Sequence, residues 1–537
     1  MSNPPYIGYN PNTGINTLPG TTIALNGQPS LDLIAKIRAG MAAAATKNAV
    51  ESPPLLPPIN INTGPGNAVR ANSTAYPIGY MFTNAAGTHQ FVVRLAGTSA
   101  ASEPATVTTP LVTTTPFNMG DITDGSATIT WMGPVRVTTA NPLAPSVYSG
   151  AKPAQLTTVN TFGPNGSSLA AAYTSIFQFT GGTGAIQGNA NNFLTYALGN
   201  QVQAGQGSNQ IDASQSTGFG PQSNAITFMT DASLIALDLT TGAQASGLAN
   251  TTGVYVEVDG VRLSDGMLMA SASLAAGVGF IMLDWRANGG RKARKIRISQ
   301  YSTVQQPNYG RFYTQPEDSV WYPYNPNRYR IAMVGDSLGS GSNSSNYIAS
   351  YDRATLFAAL IGCDDISNLG AGGTGYIASS SPQISYPQRF NDVIKLAPDV
   401  LYICNNYNDS PYTSAQRQAA VLSYLQTARA QFPNMMIIAG GTIGGTAPTT
   451  NAILEADIKA AVATFADANC FWLPEDSDNP SWETGTGSLT SPNGTGNNDI
   501  YKGPTDTTHP SLQGILYIAQ RDANAFRNLI TTLSKSP

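Results

Sequence analysis

Charge is scarce in this chain. Charged residues make up 11% of its 537 residues, against about 25% in an average soluble protein. The formal net charge is −4, which gives no field for gathering nucleic acid or an anionic membrane, so we expect neither as a partner. Gly, Ser, Thr, Asn and Gln replace the missing charges, and this is typical of an ordered, β-rich protein rather than of a disordered tail.

Cysteine is rare as well. Cys363, Cys404 and Cys470 all lie in the C-terminal third. An odd number without C-x-x-C spacing argues against a zinc site or a disulfide framework and predicts three buried thiols. The sequence also lacks the H-E-x-x-H and Walker patterns, so we expect neither a metal nor a cofactor.

Long apolar segments are missing too. No uncharged apolar run reaches the roughly 18 residues that a membrane helix needs. The N-terminal stretch MSNPPYIGYNPNTG has neither the basic nor the apolar part of a secretory signal. We therefore expect a protein that is made in the cytoplasm and does not insert into a membrane.

The composition divides the chain into three regions. Residues 1–75 are rich in Pro, Asn and Gly and predict an extended attachment arm with one short helix at 31–46. Residues 76–325 hold short β-branched runs between turn residues, which predicts one or two units of β-sandwich or jelly-roll structure. Residues 326–537 alternate short apolar runs with helical stretches and predict a doubly wound α/β domain with a parallel sheet. Ligands of such sheets bind at the carboxyl ends of the strands.

Two hairpins are predicted in the β-rich region. Asp259-Gly260 interrupts the alternating run VYVEVDGVRL, and Asn288-Gly289-Gly290 separates the two apolar runs of FIMLDWRANGGRKARKIRIS. Turns of this composition join adjacent antiparallel strands. The neighbouring cations favour a solvated hairpin face over a site for an anionic glycan; they are Arg286, Arg291, Lys292, Arg294, Lys295 and Arg297.

The chain has only two histidines, the side chain best suited to proton transfer near neutral pH. His89 stands at the entry to a strand without a neighbouring acid, which favours a structural or surface role. His509 lies in the loop DTTHP before the last predicted helix, three residues after Asp506. The carboxylate can reach the imidazole and fix its tautomer, although Asp506 could also merely cap a turn.

Three consecutive predicted strands of the α/β region end in residues that can carry acyl-transfer chemistry. Ser337 follows the first strand in GDSLGS, and a helix N-cap is the alternative role for such a serine. The second strand ends in the Gly-rich NLGAGGTG, and the third in NNYND. A hydroxyl, unhindered backbone N–H groups and an amide side chain are together the parts of an oxyanion hole beside a serine.

The segments GDSL, NLGAGG, NYND and DTTHP stand in the order and spacing of the four blocks of the SGNH (GDSL) hydrolases. Residues 327–535, approximately, resemble this family. The resemblance implies a flavodoxin-like fold and a serine esterase, with Ser337 as the nucleophile and Asp506 and His509 completing the triad. It also implies that the oxyanion is bound by the backbone N–H groups of Ser337 and Gly373 and by the Asn408 side chain.

One position departs from the family pattern. Asn406 stands where the third block usually has Gly, which could crowd the backbone near the scissile group. The segment 476–504 precedes the Asp/His loop and is interpreted either as a wall of the site or as a plain surface loop. We expect five residues to contact the substrate: Asp336, Asn406, Tyr407, Trp482 and Tyr501.

A second glycine pattern lies in the same region. Gly370, Gly372 and Gly375 spell the dinucleotide fingerprint G-x-G-x-x-G. The next helical pattern begins only near Tyr386, so no helix N-terminus follows to receive a pyrophosphate. Nucleotide binding is therefore not expected.

The substrate class is inferred from context. Esterases of this type act on lipids, small esters or acetylated sugars, and the lack of a large apolar lid together with the Thr/Asn/Gly-rich β region favours carbohydrate. The overall architecture resembles tailspike and tail-fibre proteins of bacterial viruses, which implies a virion-associated O-deacetylase of host surface polysaccharide. Two alternatives remain: a virion protein whose hydrolase-like domain only binds glycan, and a bacterial carbohydrate esterase with a carbohydrate-binding module. Other tail proteins and further copies of the chain are possible partners.

Overall fold

The computed structural model of the chain describes residues 31–50, 69–76, 81–86, 89–95, 97–108, 121–134, 145–150, 156–160, 177–180, 185–188, 194–197, 225–240, 253–262, 268–269, 278–300, 308–339, 352–380, 383–444, 448–478, 481–488, 491–503 and 508–534. Most of the predicted arm and Asp506 of the predicted triad lie outside these ranges. Within them, none of the helices combines the length and the apolar content that a membrane span requires.

The middle of the chain is built from antiparallel strands. In chain order they are β1 (Ala75–Tyr76), β2 (Met81–Thr83), β3 (His89–Leu95), β4 (Gly97–Thr98), β5 (Asp121–Asp124), β6 (Ala127–Pro134), β7 (Ser146–Gly150), β8 (Thr157–Asn160), β9 (Gln178–Thr180), β10 (Ala185–Gly188), β11 (Leu194–Ala197), β12 (Ala225–Thr230), β13 (Leu234–Thr240), β14 (Gly253–Val258), β15 (Val261–Arg262), β16 (Leu268–Met269), β17 (Val278–Asp284), β18 (Arg294–Gln300), β19 (Asn308–Thr314) and β20 (Val320–Trp321).

These strands pair into four sheets. One has two strands, one has four in the order β2-β3-β6-β5, and two have seven each, with β13 and β17 in one and β12, β14 and β18 in the other. The β-rich character predicted for this region is confirmed, while its arrangement as a sandwich or jelly roll stays a prediction.

The two predicted hairpins have different outcomes. β14 and β15 pair across Asp259-Gly260, where both residues have positive φ, as a type I′ turn requires. The second prediction is wrong, because β17 pairs with β13 and β7 whereas β18 pairs with β12 and β14. Between them the chain changes sheets at the fully buried Trp285, whose carbonyl accepts hydrogen bonds from the N–H groups of Asn288 and Gly290.

The C-terminal region is a doubly wound α/β domain, as predicted. Its strands are β21 (Ile331–Gly335), β22 (Ile366–Gly370), β23 (Val400–Cys404), β24 (Met436–Gly440) and β25 (Cys470–Leu473). They are parallel and stand in the order β22-β21-β23-β24-β25. Every residue of the first four is buried, which explains their continuous apolar character. The order reverses beside β21, and such a switch point is where open α/β sheets form ligand sites.

Helices cover both faces of this sheet. The α-helices of the described residues are α1 (Leu31–Val50), α2 (Ala105–Thr108), α3 (Arg353–Ile361), α4 (Phe390–Leu396), α5 (Ser414–Gln431), α6 (Pro448–Phe465), α7 (Asn498–Tyr501) and α8 (Leu512–Leu533). One face packs on α1, α3 and α8 and the other on α4, α5 and α6.

Helix α1 lies against the α/β domain, although it comes from the N-terminal region of the chain. Its buried residues Leu33, Ile34 and Ile37 belong to the same apolar cluster as α3 and α8. Gly40 meets Gly362, and a Cβ added at Gly40 would lie 2.9 Å from the Gly362 carbonyl oxygen. The predicted short helix at 31–46 therefore exists, and it is part of the α/β core.

Polar contacts join the β-rich region to the amino edge of the parallel sheet. Lys295 Nζ lies 3.5 Å from Asp364, and the Asn325 amide donates to the same carboxylate. Within the α/β region itself, Arg328 and Arg330 both pair with the next residue, Asp365, at 2.6 and 3.0 Å. Because these contacts precede β22, they lie at the edge opposite the carboxyl ends of the strands.

Candidate active site

Ser337 stands in a tight turn at the carboxyl end of β21. A Cβ added at Gly335 would lie 2.7 Å from the Cys404 sulfur, so the turn can pack against β23 only with glycine there. The serine is partly exposed, and Leu338 beside it is buried. Helix α3, the next described helix, is capped by Asp352, so the N-cap role considered for Ser337 is not seen in the described part of the chain.

Asp336 stabilises the turn that carries Ser337 by accepting hydrogen bonds. Its carboxylate is fully buried and accepts hydrogen bonds from the Leu338 N–H at 2.9 Å and from the Asn405 side chain at 2.6 Å. The Asn408 side chain donates to it at 3.3 Å. Burial raises the pKa of this carboxyl to about 6, although the hydrogen bonds from Asn405 and Leu338 and the charge effects of His509 and Arg353 act to lower it. Asp336 thus ties the serine turn to the residues that follow β23.

The glycine-rich loop after β22 lies beside this turn. The Ala371 N–H donates to the Gly335 carbonyl at 2.9 Å. Gly373 has φ +72, and a Cβ there would lie 2.6 Å from that of Ser380, so this position requires glycine. The Asn408 side chain donates to the Thr374 carbonyl at 3.1 Å. The loop that carries Gly373 and the segment that carries Asn408 are therefore in direct contact.

Asp409 fixes the far half of the same loop. Its buried carboxylate accepts three consecutive backbone N–H groups, those of Tyr376 (2.8 Å), Ile377 (3.1 Å) and Ala378 (2.8 Å). A Cβ at Gly375 would lie 2.5 Å from this carboxylate. The close approach of Asp409 gives the third glycine of the G-x-G-x-x-G pattern a structural reason that involves no nucleotide.

His509 lies in the segment directly before α8. Its carbonyl accepts the Gly503 N–H at 2.8 Å, and Ser511 caps the helix by accepting the Gly514 N–H at 3.0 Å. The histidine is partly buried and close enough to Asp336 to lower the pKa of that carboxyl. The loop before α8 therefore lies near the Asp336 carboxylate, and the pairing of the imidazole with Ser337 stays a prediction.

Four of the five residues expected to contact substrate are buried: Asp336, Asn406, Trp482 and Tyr501. They offer little surface to a substrate, whereas Tyr407 is partly exposed. The Asn406 side chain points into the protein, where its oxygen accepts a hydrogen bond from Thr442, so it does not project over the scissile group.

The segment before the histidine loop packs onto the serine turn. Trp482 and Tyr501 share an apolar cluster with Leu338 and Ile443. Tyr501 stacks on Tyr517 of α8 with ring centroids 4.2 Å apart. Both aromatic residues therefore pack behind the serine turn, and the role of segment 476–504 as a wall of the site stays a prediction.

Several supporting residues lacked a sequence signal. Asn405 adopts a left-handed conformation, φ +65, and bridges the Asp336 carboxylate and the Ile443 N–H. Arg389 is buried and donates to the carbonyls of Gly335 and Leu369 at two strand ends. Asparagine is enriched among non-glycine residues at positive φ, but nothing local indicates the distant partners.

The thiols do not take part in this site. All three cysteines are free and buried, as predicted. Burial raises the pKa of Cys404 and of Cys470 to about 12, so neither supplies a thiolate near neutral pH. No group of His, Cys, Asp and Glu among the described residues has the arrangement of a metal site.

Comparison with solved structures finds matches at low sequence identity. A family two carbohydrate esterase from Cellvibrio japonicus is 13% identical, covers 72% of this chain and 99% of its own, and has a TM-score of 0.43. An acetyl xylan esterase from the rumen bacterium Butyrivibrio proteoclasticus is 14% identical, with coverages of 62% and 96% and a TM-score of 0.40. A salicylyl-acyltransferase from a tetracycline biosynthetic pathway is 13% identical, with coverages of 66% and 95% and a TM-score of 0.46. No family model and no curated protein matches the chain.

Proposed function

We propose that the chain is a serine esterase whose C-terminal region is a flavodoxin-like SGNH hydrolase domain. His509 takes the proton of the Ser337 hydroxyl, which attacks an ester carbonyl, and the imidazolium then protonates the departing alcohol. Water, deprotonated by the same imidazole, releases the acid and restores the serine. Asp506 orients the imidazole, although it lies outside the described residues.

The observation that carries this proposal is the joining of three strand ends. The segments after β21, β22 and β23 are linked by the Ala371–Gly335, Asn408–Thr374 and Asn408–Asp336 hydrogen bonds. The segments that carry the Ser337 hydroxyl, the Gly373 backbone N–H and the Asn408 amide are therefore in contact, and the effect of His509 on the pKa of Asp336 supports our proposal that the imidazole lies near them. This is the arrangement that acyl transfer needs.

Asn408 is suited to the role of a donor that responds to charge. One of its amide hydrogens is directed to the Thr374 carbonyl at 3.1 Å and the other to Asp336 at 3.3 Å. The second bond is at the long end of the hydrogen-bond range. A developing oxyanion would compete for that hydrogen, while the Thr374 bond keeps the amide in place.

We further propose that the ester is an O-acetyl group on bacterial surface polysaccharide and that the protein is a component of a virus tail. The Thr/Asn/Gly-rich antiparallel region, which we take to be a sandwich or jelly roll, supports a setting among glycans. The exclusively glycan-binding virion protein and the bacterial carbohydrate esterase remain the alternatives. Detection of the protein in purified virus particles would separate a virion component from a bacterial enzyme.

The test is acetate release from a panel of acetylated glycans, with p-nitrophenyl acetate as a simple substrate. Ser337→Ala should lower kcat by about a thousandfold or more while the unfolding curve stays unchanged. Ser410→Ala, at an exposed serine near the site, is the matched control and should keep the activity. Equal acetate release by the wild type and Ser337→Ala would remove the esterase assignment, and glycan binding without acetate release would favour the binding protein.

A further inference from the structure

Lys502 is a buried cation close to the proposed catalytic histidine. It follows α7, and its side chain is only 1% exposed. Its Nζ lies 2.9 Å from Oε2 of Glu483, whose side chain is 4% exposed. A lysine is almost never fully buried unless it is paired, because the ammonium group must give up its hydration.

Lys502 also holds the loop that carries His509. Its Nζ donates to the Thr508 carbonyl at 3.2 Å, directly before the histidine. Its backbone forms a bridge with Pro510, and the Gly503 N–H donates to the His509 carbonyl. Residues 508–510 are thus hydrogen-bonded to Lys502 and to Gly503, directly after it.

Glu483 extends this connection to the serine turn. The same Oε2 accepts the Gly444 N–H at 2.9 Å. Gly444 has φ +102, and a Cβ built on it would lie 3.1 Å from Cδ1 of Leu338. Leu338 directly follows Ser337, so contacts run without a break from the neighbour of the nucleophile to the neighbour of the histidine.

We propose that the Lys502–Glu483 ion pair is a positioning device that sets the His509 loop against the Ser337 turn. Lys502 is a positioning residue because it acts on the imidazole through the Thr508 carbonyl. The inference rests on the proposed esterase function. Its physical basis is that a misplacement of about 1 Å in a catalytic group can cost about a hundredfold in rate.

The test must separate positioning from stability. Lys502→Met leaves the Glu483 carboxylate buried without its cation, which should lower both Tm and kcat. The double variant Lys502→Met/Glu483→Gln removes that stranded charge, and its amide oxygen can still accept the Gly444 N–H. We expect its Tm to recover towards the wild-type value, while kcat on p-nitrophenyl acetate stays about tenfold to a hundredfold low and KM changes by less than about twofold.

Arg429→Met is the matched control. Arg429 pairs with Asp467 at 2.8 Å and donates to the Met435 carbonyl before β24, at the opposite edge of the sheet. This variant should lose stability and keep kcat. If the double variant recovers kcat together with Tm, the ion pair only stabilises the fold and the inference is overturned. If the wild type is no more active than Ser337→Ala, the esterase proposal itself fails and the inference falls with it.

Discussion

Buried carboxylates do much of the positioning at the rim of the parallel sheet. Asp336 receives three hydrogen bonds and Asp409 receives three consecutive backbone N–H groups. Neither is opposed by a cation in direct contact in the described structure. Hydrogen-bond donors therefore take the place of counter-ions around these two carboxylates.

The raised pKa of Asp336 predicts a pH-dependent stability. Burial lifts this pKa from the ordinary 3.8 to about 6, so the folded state binds the proton more tightly than the unfolded chain does. The contribution of Asp336 to the free energy of unfolding is therefore largest below about pH 4 and declines by about 3 kcal/mol as the pH rises through 6. Urea unfolding between pH 4 and 7 should show this decline in the wild type and not in Asp336→Asn. Burial also raises the pKa of Asp476 to about 6, but this residue is present in both proteins, so its effect cancels in the difference between them. An equal decline of the unfolding free energy in both proteins would contradict the prediction.

Asp409→Asn tests the loop that carries Gly373. The new amide would place N–H donors against the backbone N–H groups of residues 376–378, so we expect a loss of about 1–3 kcal/mol in unfolding free energy. We also expect a fall in kcat with a smaller change in KM, measured on p-nitrophenyl acetate, because the loop carries the proposed oxyanion donor. Asp318→Asn removes a buried carboxylate that accepts the Gln315 N–H in the β-rich region. The Asp318 variant should lose stability and keep its kcat. If the Asp409 variant also loses stability and keeps its kcat, the proposed role of the loop in catalysis is wrong.

The sequence indicates the proposed reactive residues more directly than it indicates the residues that support them. Ser337, Asn408 and His509 stand next to apolar runs or a helix start, and a parallel sheet brings such positions together whatever the details of packing. The roles of Asn405 and Asp409 depend on partners about 30 or more residues away in the chain. Because local patterns carry no information on such partners, these roles emerge only from the folded structure.

Among the secondary-structure elements, helix α1 shows what the helical pattern of a sequence can predict and what it cannot. Its start at Leu31 and its helical character were predictable, but its packing partner was not, since the neighbouring Pro- and Asn-rich sequence indicates an arm. The same limit explains β17 and β18, where a Gly-rich turn predicted a hairpin. A buried tryptophan at that turn is compatible with either a hairpin or a change of sheet, and only the surrounding strands decide between them.

Ile37→Ala tests the docking of α1. Ile37 is fully buried against α3 and α8, so its truncation should cost about 2–4 kcal/mol of unfolding free energy. Leu31→Ala is the matched control on the same helix, because Leu31 is 80% exposed, and it should change the stability by less than about 0.5 kcal/mol. Denaturant unfolding gives both values, and similar small effects of the two variants would show that α1 does not stabilise the domain.

At the scale of the whole molecule, the apolar clusters formed by the described residues are separate from one another. One such cluster lies within residues 76–129, another within 156–313, and three are formed by α1 and residues 329–530. The contacts described above between the β-rich region and the amino edge of the parallel sheet are polar: the Lys295–Asp364 ion pair and the Asn325–Asp364 hydrogen bond. Such contacts couple the unfolding of neighbouring regions weakly.

Calorimetry should therefore resolve more than one unfolding transition in the full chain. Ile37→Ala should lower the midpoint of the transition that belongs to the α/β domain and leave another in place. Covalent modification of Ser337 by a phosphonate ester should shift the same transition and no other. A single transition that moves as a unit in both experiments would show that the regions unfold together.

The packing of α1 determines how the polypeptide divides into structural units. A core helix of the α/β unit is encoded before the β-rich region, and the remainder of that unit is encoded after it, so the unit is discontinuous and the β-rich region is inserted within it. A fragment that starts at residue 326 would leave the apolar surface of α3 and α8 without its cover and open to self-association. A graft of residues 31–50 onto that fragment through a flexible linker would restore the missing layer.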